Sequence, residues 1–406
     1  LGYDTNNVYL TLKPGGFAAG AQSANQRAVG GVLDQSVAGS TGDFATVIGT
    51  LATFGLVQGQ AAMDALSGQN YAGFATAGIG NSLLFMNTVS QQMSQARGGS
   101  GGGSRTALAQ ACDIACDGPG DGGQPSPFSV WGSALGGTGS IAGYGNASTL
   151  TYNAGGTATG IDYRFDPHLL LGVGLGFASG SQYLSGFSGR GTTNSYQGTL
   201  YASFTPSAFY FDALAGYAYN DNQMTRQILI PGLQRTAQGR TGANQFLGQV
   251  EAGYKIDIHE RAAASLTPFA RFQATTVTQA AFSETGAGSL NLNVAQQTTN
   301  SARTVLGAEL AGTIDAGWRE RLALQFRLGW AHEYADTSRP VTASFAGAPG
   351  AAFTVFGAAP LRDAVVVGLA ANTAIAAATS LYFRYDGEVG TGSDSHAFTG
   401  GLRMSW

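Results

Sequence analysis

The stretch Phe398-Thr399-Gly400-Gly401-Leu402-Arg403-Met404-Ser405-Trp406 reads as a half-buried strand, with Phe398, Gly400, Leu402, Met404 and Trp406 on one face and Arg403 on the other. A soluble domain seldom finishes on an exposed edge strand with an aromatic tip, because the unpaired backbone of an edge recruits other chains. A membrane barrel pairs its last strand with its first and anchors both at an interface. This ending points to an outer membrane.

The period of two runs back to about Phe128. Leu322, Leu324, Phe326, Leu328 and Trp330 point one way, and Gln325, Arg327 and Glu333 the other. Phe209, Phe211, Ala213, Ala215, Tyr217 and Tyr219 oppose Tyr210, Asp212 and Asn220. Similar alternation covers residues 128–134, 159–165, 169–177, 196–204, 246–256, 266–276, 306–314, 365–371 and 381–387. The expected fold class is an all-β transmembrane barrel of about 12 antiparallel up-and-down strands, an even number as bacterial single-chain barrels require.

The connections separate a barrel from a sandwich. Asp166-Pro167-His168, Thr205-Pro206-Ser207, His259-Glu260-Arg261 and residues 315–319 and 377–379 read as tight turns. Every second connection, at 136–150, 179–194, 220–244, 279–302, 334–362 and 389–395, reads as long. Short periplasmic turns alternating with longer extracellular loops mark an up-and-down membrane barrel. Tyr163, Phe165, Phe204, Phe209, Phe211, Tyr254, Trp318 and Trp406 fall near the short-turn ends, as an interfacial girdle would. Asp162, Arg164, Glu251, Lys255, Arg271, Glu309, Arg327, Glu333, Arg384, Asp386, Glu388 and Arg403 share the opposite phase and are expected in the lumen, solvated or paired. They are assigned no chemistry.

The part before the barrel is built differently. Leu1 to Leu12 reads as a strand, so no signal peptide begins the chain, and a C-terminal fragment of a longer exported precursor is expected. Residues 15–70 form a helical module, with Asn25 as a cap and Ala, Leu and Val at helical spacing over 43–66. Residues 71–97 carry no charge before Arg97, and Asn81, Asn87, Gln91 and Gln95 lie beside Leu84, Phe85, Met86, Val89 and Met93. A helix from Asn81 to Arg97 would be roughly 25 Å long at about 1.5 Å per residue, the apolar height of an outer-membrane barrel, so this segment is expected to plug the lumen. Residues 98–126 are a flexible Gly/Pro-rich periplasmic linker by composition. They contain Cys112 and Cys116, whose spacing in an exported chain predicts a local disulfide rather than a metal site. Residues 127–406 are the barrel.

Composition excludes other classes. Only 11% of the 406 residues are charged, against roughly 25% in soluble domains. The longest uncharged run, 65–96, is broken by Asn, Gln, Ser and Gly, which argues against a spanning helix. A net charge of -4 and no aromatic-basic interleaving set nucleic acid aside. His168, His259, His332 and His396 are dispersed and suggest no triad, and the sole G-x-S-x-G match, 98–102, lies in the linker without a strand-turn-helix context. No catalytic residue, metal site or cofactor is expected.

The order of these pieces resembles the C-terminal translocator unit of the monomeric autotransporters of type V secretion. The resemblance is carried by Leu66-Ser67-Gly68-Gln69-Asn70-Tyr71-Ala72, Gly329-Trp330-Ala331-His332-Glu333-Tyr334, Arg362-Asp363-Ala364, Leu381-Tyr382-Phe383-Arg384-Tyr385-Asp386-Gly387-Glu388 and the terminal Gly401 to Trp406. Residues 1–14 then look like the last strand of a passenger β-helix. The resemblance implies an outer-membrane barrel that secretes its own N-terminal passenger and anchors it at the cell surface. It implies assembly by the barrel-assembly machinery and periplasmic chaperones, with Gly401, Met404 and Trp406 as the assembly signal. Some relatives cut the lumen helix at paired Asn residues; here Asn81 and Asn87 are isolated, so no cleavage residue is carried over. The competing readings are a porin or small-solute channel plugged by its own helix, and an outer-membrane barrel enzyme.

Overall fold

The structure, a computed structural model, describes residues 2–3, 5–6, 8–9, 15–97, 127–259, 263–315, 317, 321–335, 337–376 and 378–406. The linker 98–126 with Cys112 and Cys116, the girdle residue Trp318 and much of 1–14 lie outside the described residues. Of the N-terminal strand, Gly2–Tyr3 and Val8–Tyr9 form a short antiparallel pair.

Twelve strands make one closed antiparallel sheet. They are β1 (Phe128–Ile141), β2 (Leu150–Arg164), β3 (Leu169–Leu184), β4 (Ser188–Phe204), β5 (Phe209–Ile230), β6 (Leu233–Tyr254), β7 (Ala264–Gln279), β8 (Gln297–Ile314), β9 (Leu322–Glu333), β10 (Asp363–Ala376), β11 (Thr379–Gly390) and β12 (Ser393–Ser405). Each strand pairs with its sequence neighbour, and β12 pairs with β1 from Ser393 opposite Ile141 to Ser405 opposite Ser129. Closure leaves the sheet no edge, which lets a β-structure cross hydrocarbon.

The outer face is apolar. Leu175, Leu200, Phe246, Leu306, Leu328, Leu369 and Leu402 are exposed on seven of the twelve strands, an apolar surface suited to lipid. Phe165, Phe204, Phe209, Phe211, Tyr254 and Trp406 ring the short-turn end. A second ring, unread in the sequence, holds Tyr183, Tyr196, Tyr217, Tyr219, Trp330 and Tyr334 at the other end. Inside, large side chains lie over glycines of the next strand: a Cβ at Gly160 would stand 2.5 Å from the Trp131 ring, and one at Gly172 would stand 2.2 Å from Tyr201.

Three connections expected to be loops are paired strand. At 179–194, 220–244 and 389–395 the hairpins continue past the membrane, leaving only residues 185–187, 231–232 and 391–392 as turns. Beyond the apolar belt the outward face turns polar, as at Asp221, Gln223, Thr225 and Gln227 of β5, and the buried inward face mixes Asn222 and Arg226 with Met224 and Ile228, so apolar alternation fades while the backbone ladder, indifferent to side-chain polarity, goes on. The surviving signal is glycine at the turn tips, where Gly232 and Gly392 adopt φ of 77° and 83°. Lys255, expected in the lumen, lies beyond the end of β6, exposed and paired with Asp257 at 3.1 Å. The 280–296 and 334–362 connections are long and contribute a four-stranded sheet of Phe282–Ser283, Leu292–Val294, Pro340–Phe345 and Ala348–Phe356.

Four helices precede the barrel: α1 (Ala24–Ser36), α2 (Gly42–Leu51), α3 (Leu56–Leu66) and α4 (Gly73–Ala96). The cap of α1 is Ser23 rather than Asn25: the Ser23 hydroxyl accepts from the Gln26 amide while the Gln26 side chain accepts from the Ser23 amide. Asn25 is buried inside the helix, where its side-chain amide donates to the carbonyls of Asn146 and Phe356 at 2.9 and 2.8 Å. Helices α1 to α3 sit on the four-stranded sheet and on the far end of the β5–β6 hairpin, sharing one apolar core with them.

Two outcomes follow from this arrangement. Leu200→Arg, placing a charge on the lipid face, should cost about 2–4 kcal/mol if near the midplane and lower the fraction of heat-modifiable barrel on gels, while Leu200→Phe leaves it unchanged. The second concerns Asp43 of α2, which accepts from Arg235 of β6 at 2.5 and 2.7 Å and from the Ser289 hydroxyl at 2.7 Å. Those bonds, the Arg235 pair foremost, hold the half-exposed carboxyl well below its usual range. Its contribution, about 1 kcal/mol or less at such exposure, is complete above the ordinary Asp pKa of about 3.9 and is lost as pH falls toward the depressed value. The gap in limited-proteolysis rate between the protein and Asp43→Asn should stay constant from about pH 7 to about pH 4 and close below that.

Candidate functional site: a helix threaded through the barrel

Helix α4 runs the length of the lumen, its 24 residues spanning about 36 Å. At its N-terminal end the Gln182 side chain of β3, beside a long connection, donates to the Asn70 carbonyl at 3.3 Å. At the other end Arg97 pairs with Asp212 near the start of β5 and lies 3.9 Å over the Tyr210 ring, while Arg164 at the end of β2 donates to the Ala96 carbonyl. A cation there also complements the helix dipole. The helix thus points from the long-connection end to the short-turn end.

One stripe of α4 is apolar. Phe85, Val89 and Met93 are buried against Trp131, Tyr201, Leu214 and Leu247 of the wall. Close approach is possible because β3 offers glycine: a Cβ at Gly176 would stand 2.7 Å from the Phe85 ring. The amide-bearing positions hydrogen-bond the wall. Asn81 donates to Ser195 at 2.9 Å, Asn87 accepts from Arg271 at 3.0 Å and Gln91 accepts from Arg384 at 2.6 Å. Gln95 is buried, and its amide has no hydrogen-bond partner among the described residues. Gln92, which donates to the Tyr382 hydroxyl at 2.7 Å, and Ser90, which accepts from Gln249 at 2.6 Å, are polar positions of the same helix that sequence reading did not single out as site residues. Nothing in the sequence of α4 separates these from Gln91, because partners are chosen by the wall.

Most lumen charges meet within the wall. Glu251 of β6 accepts from Arg271 of β7 at 2.5 Å, from Arg327 of β9 at 2.8 Å and from the Tyr210 hydroxyl at 2.7 Å. Glu309 of β8 lies 3.3 Å from Arg327. Arg384 pairs with Asp386 on its own strand and Arg403 with Asp162 across the closure of β12 and β1, both at 2.5 Å. Glu388, also expected in the lumen, stands apart from the Glu251 cluster and pairs with Arg303 at 2.7 Å. The helix brings no charge to this wall between Gly73 and Ala96, only neutral acceptors and donors. The ion pairs are therefore satisfied within the wall, and a polar, uncharged segment can lie along them without breaking any.

The helix lies against one side. Between it and the strands from β7 round to β1 remains a cavity of about 190 Å³, lined by Asn87, Arg271, Arg327 and Arg384 and, toward the long connections, by Arg303 and Glu388. On β12, Met404 and Trp406 face outward while Gly401 faces inward, where a Cβ would stand 2.5 Å from the Tyr382 hydroxyl. The histidines stay apart: His168 bonds the Thr205 carbonyl, His332 the Asp363 carboxylate and His396 the Tyr385 hydroxyl, each at 2.8 Å. His332 is thus partnered across strands with Asp363 rather than with the adjacent Glu333, and it packs between Trp330 and Tyr334 in the outer aromatic ring. Among the described residues no three His, Cys, Asp or Glu side chains are grouped to hold a metal ion.

A closed twelve-stranded barrel traversed by an N-terminal helix defines a membrane translocator domain. The sequence profile of the autotransporter β-domain matches residues 130–386, and the chain belongs to that family. It is 27% identical to esterase EstA of Pseudomonas aeruginosa over 270 residues, which cover 66% of this chain and 39% of that protein. The chain therefore spans well under half the length of that relative. In fold it is similar to the translocator domain of the autotransporter NalP from Neisseria meningitidis, with a TM-score of 0.57 and 15% identity over 76% of this chain and 98% of that one. The transport unit of the autotransporter AIDA-I from Escherichia coli gives 0.53 and 15%, covering 76% and 99%. The domain is an outer-membrane translocator of the autotransporter type, a class in which the barrel carries its passenger on the same polypeptide.

Because Glu251 neutralises two buried guanidinium groups, Glu251→Gln should cost about 3–5 kcal/mol by leaving them uncompensated. The urea midpoint of the barrel in detergent should fall accordingly. Glu309→Gln, which faces a single guanidinium, that of Arg327, beside the neutral Gln325 amide and is more exposed, should lower it less.

Proposed function

We propose that this chain inserts into the outer membrane with its long connections outside, passes its N-terminal passenger to the cell surface through the barrel, and afterwards keeps α4 in the lumen as the anchor. The observation that carries this reading is the threading of α4. Its N-terminus is at the long-connection end, whereas β1 begins at the short-turn end, so residues 15–72 lie across the membrane from the start of the barrel. Short turns face the periplasm in barrels of this kind. A closed barrel has no seam between paired strands, which supports passage of the chain through the lumen.

The neutral interior of α4 supports the same reading, since a wall whose charges are paired among themselves offers a moving chain weak, exchangeable hydrogen bonds. A porin has no need of the helices preceding the plug. The same logic makes the chain's task transport rather than catalysis; the esterase name belongs to a longer relative, only 39% of which is matched by this chain. In this reading residues 1–14 are the end of the passenger, 15–70 a module delivered with it, and 98–126 a periplasmic linker whose Cys112 and Cys116 close a local disulfide. Assembly by the barrel-assembly machinery, after escort by periplasmic chaperones, would begin from β12. The outward Met404 and Trp406 there sit on the lipid face, and Gly401 makes room for Tyr382.

The test is display. With a signal peptide and an epitope tag placed before Leu1, intact Gram-negative cells should bind antibody, and replacing Met404 and Trp406 should abolish both labelling and heat-modifiable barrel. Deleting residues 72–97 should raise conductance in planar bilayers well above that of the 190 Å³ side cavity. A heat-modifiable barrel whose tag stays periplasmic would sink the translocator reading in favour of a plugged porin.

A further inference from the structure

We propose that the outer connections of the barrel are the folding template for residues 15–72, which cross the membrane unfolded because they hold only half of their own core. The proposal rests on the translocator reading above and adds what makes the last stage of transfer one-way.

The core outside the barrel is divided evenly. Among the described residues, thirteen of its buried apolar side chains come from the segment ahead of the barrel, such as Val29, Leu33 and Phe44, and thirteen from the barrel's own hairpins and connections, such as Ile228, Leu292 and Val355. A segment of 58 residues is marginal even with its core complete, and here half of that core belongs to the outer connections of the barrel. The buried polar groups are divided in the same way. Arg226 and Glu284, both from the barrel side and almost wholly buried, pair at 2.6 Å, and the cluster is completed by the Ala65 carbonyl at 3.0 Å and the Tyr71 hydroxyl at 2.6 Å. Asn25 of α1 finds its partners on Asn146 and Phe356, in two different connections of the barrel. Without the template Asn25 and Tyr71 face water, the folded segment gains none of these bonds, and its apolar half-core is left uncovered.

The consequence is directional. In the periplasm the segment lacks its partner surface and stays extended enough to share the lumen. Outside, it meets an apolar face that water leaves uncovered, tethered to it through α4 at high effective concentration. Docking then withdraws the segment from the lumen and holds the N-terminal end of α4 in place through residues 69–72.

The experiment uses the full tagged chain with Leu292→Asp and Val355→Asp, two positions outside the lipid belt. Arg27 is the only trypsin site between residues 15 and 96, so cleavage there reports whether the module is folded. The expected result is a heat-modifiable barrel, display of the tag slowed on the order of ten-fold, and cleavage at Arg27 on intact cells accelerated by a similar factor. Leu33→Asp, on the other half of the core, should give the same phenotype. If the double variant fails to yield a heat-modifiable barrel, Leu292→Ala with Val355→Ala is read in its place. Normal display with Arg27 still protected in these variants overturns the proposal. A tag that stays periplasmic in the unsubstituted chain, over an assembled barrel, overturns the translocator reading instead.

Discussion

Everything in this molecule depends on the pairing of β12 with β1. A sheet of eleven or thirteen strands could not close antiparallel, and an open one would present bare backbone donors and acceptors to hydrocarbon, where each unsatisfied group costs several kilocalories. Closure makes the outer face a continuous apolar belt and the inner face an enclosed space. The ion pair of Arg403 with Asp162 lies on the inner side of this closure and ties the two halves of the barrel where chain order alone would leave them apart.

The enclosed space is then organised by a division of labour. Charges are placed on the wall and mostly neutralised there, strand to strand, around Glu251 and in the Arg384–Asp386 and Arg403–Asp162 pairs. The helix supplies amides, hydroxyls and one apolar stripe. Burying a charge on the helix would have required a fixed partner on the wall and hence one deep register; Arg97 does this once, at the short-turn end, with Asp212. Above the membrane the logic reverses, and Asp43, Asn25 and Tyr71 tie the helical module to the barrel at many points.

Strand number, strand phase and the helix of lumen length were legible in the sequence because lipid on one side and packed side chains on the other impose a period of two that nothing else in the chain imitates. Phe209 to Asn220 is an example: outward and inward residues are assigned correctly one by one. The reading failed where that contrast fades. Beyond Asn220 both faces of β5 and β6 are polar at intervals, and the hairpin looked like a loop although its ladder continues to Ile230. Asn25 looked like a cap because local signals cannot show that its amide is needed by Phe356, 331 residues away.

What the sequence by itself determined is therefore the barrel and its orientation to lipid, since alternation is a local property written residue by residue. Only the tertiary structure decided which charges meet, which face of α4 touches which strand, and that the helices before it share one core with the outer connections. Those are long-range choices, fixed by barrel closure and by the distance a side chain can reach across the lumen, and no periodicity along the chain records them.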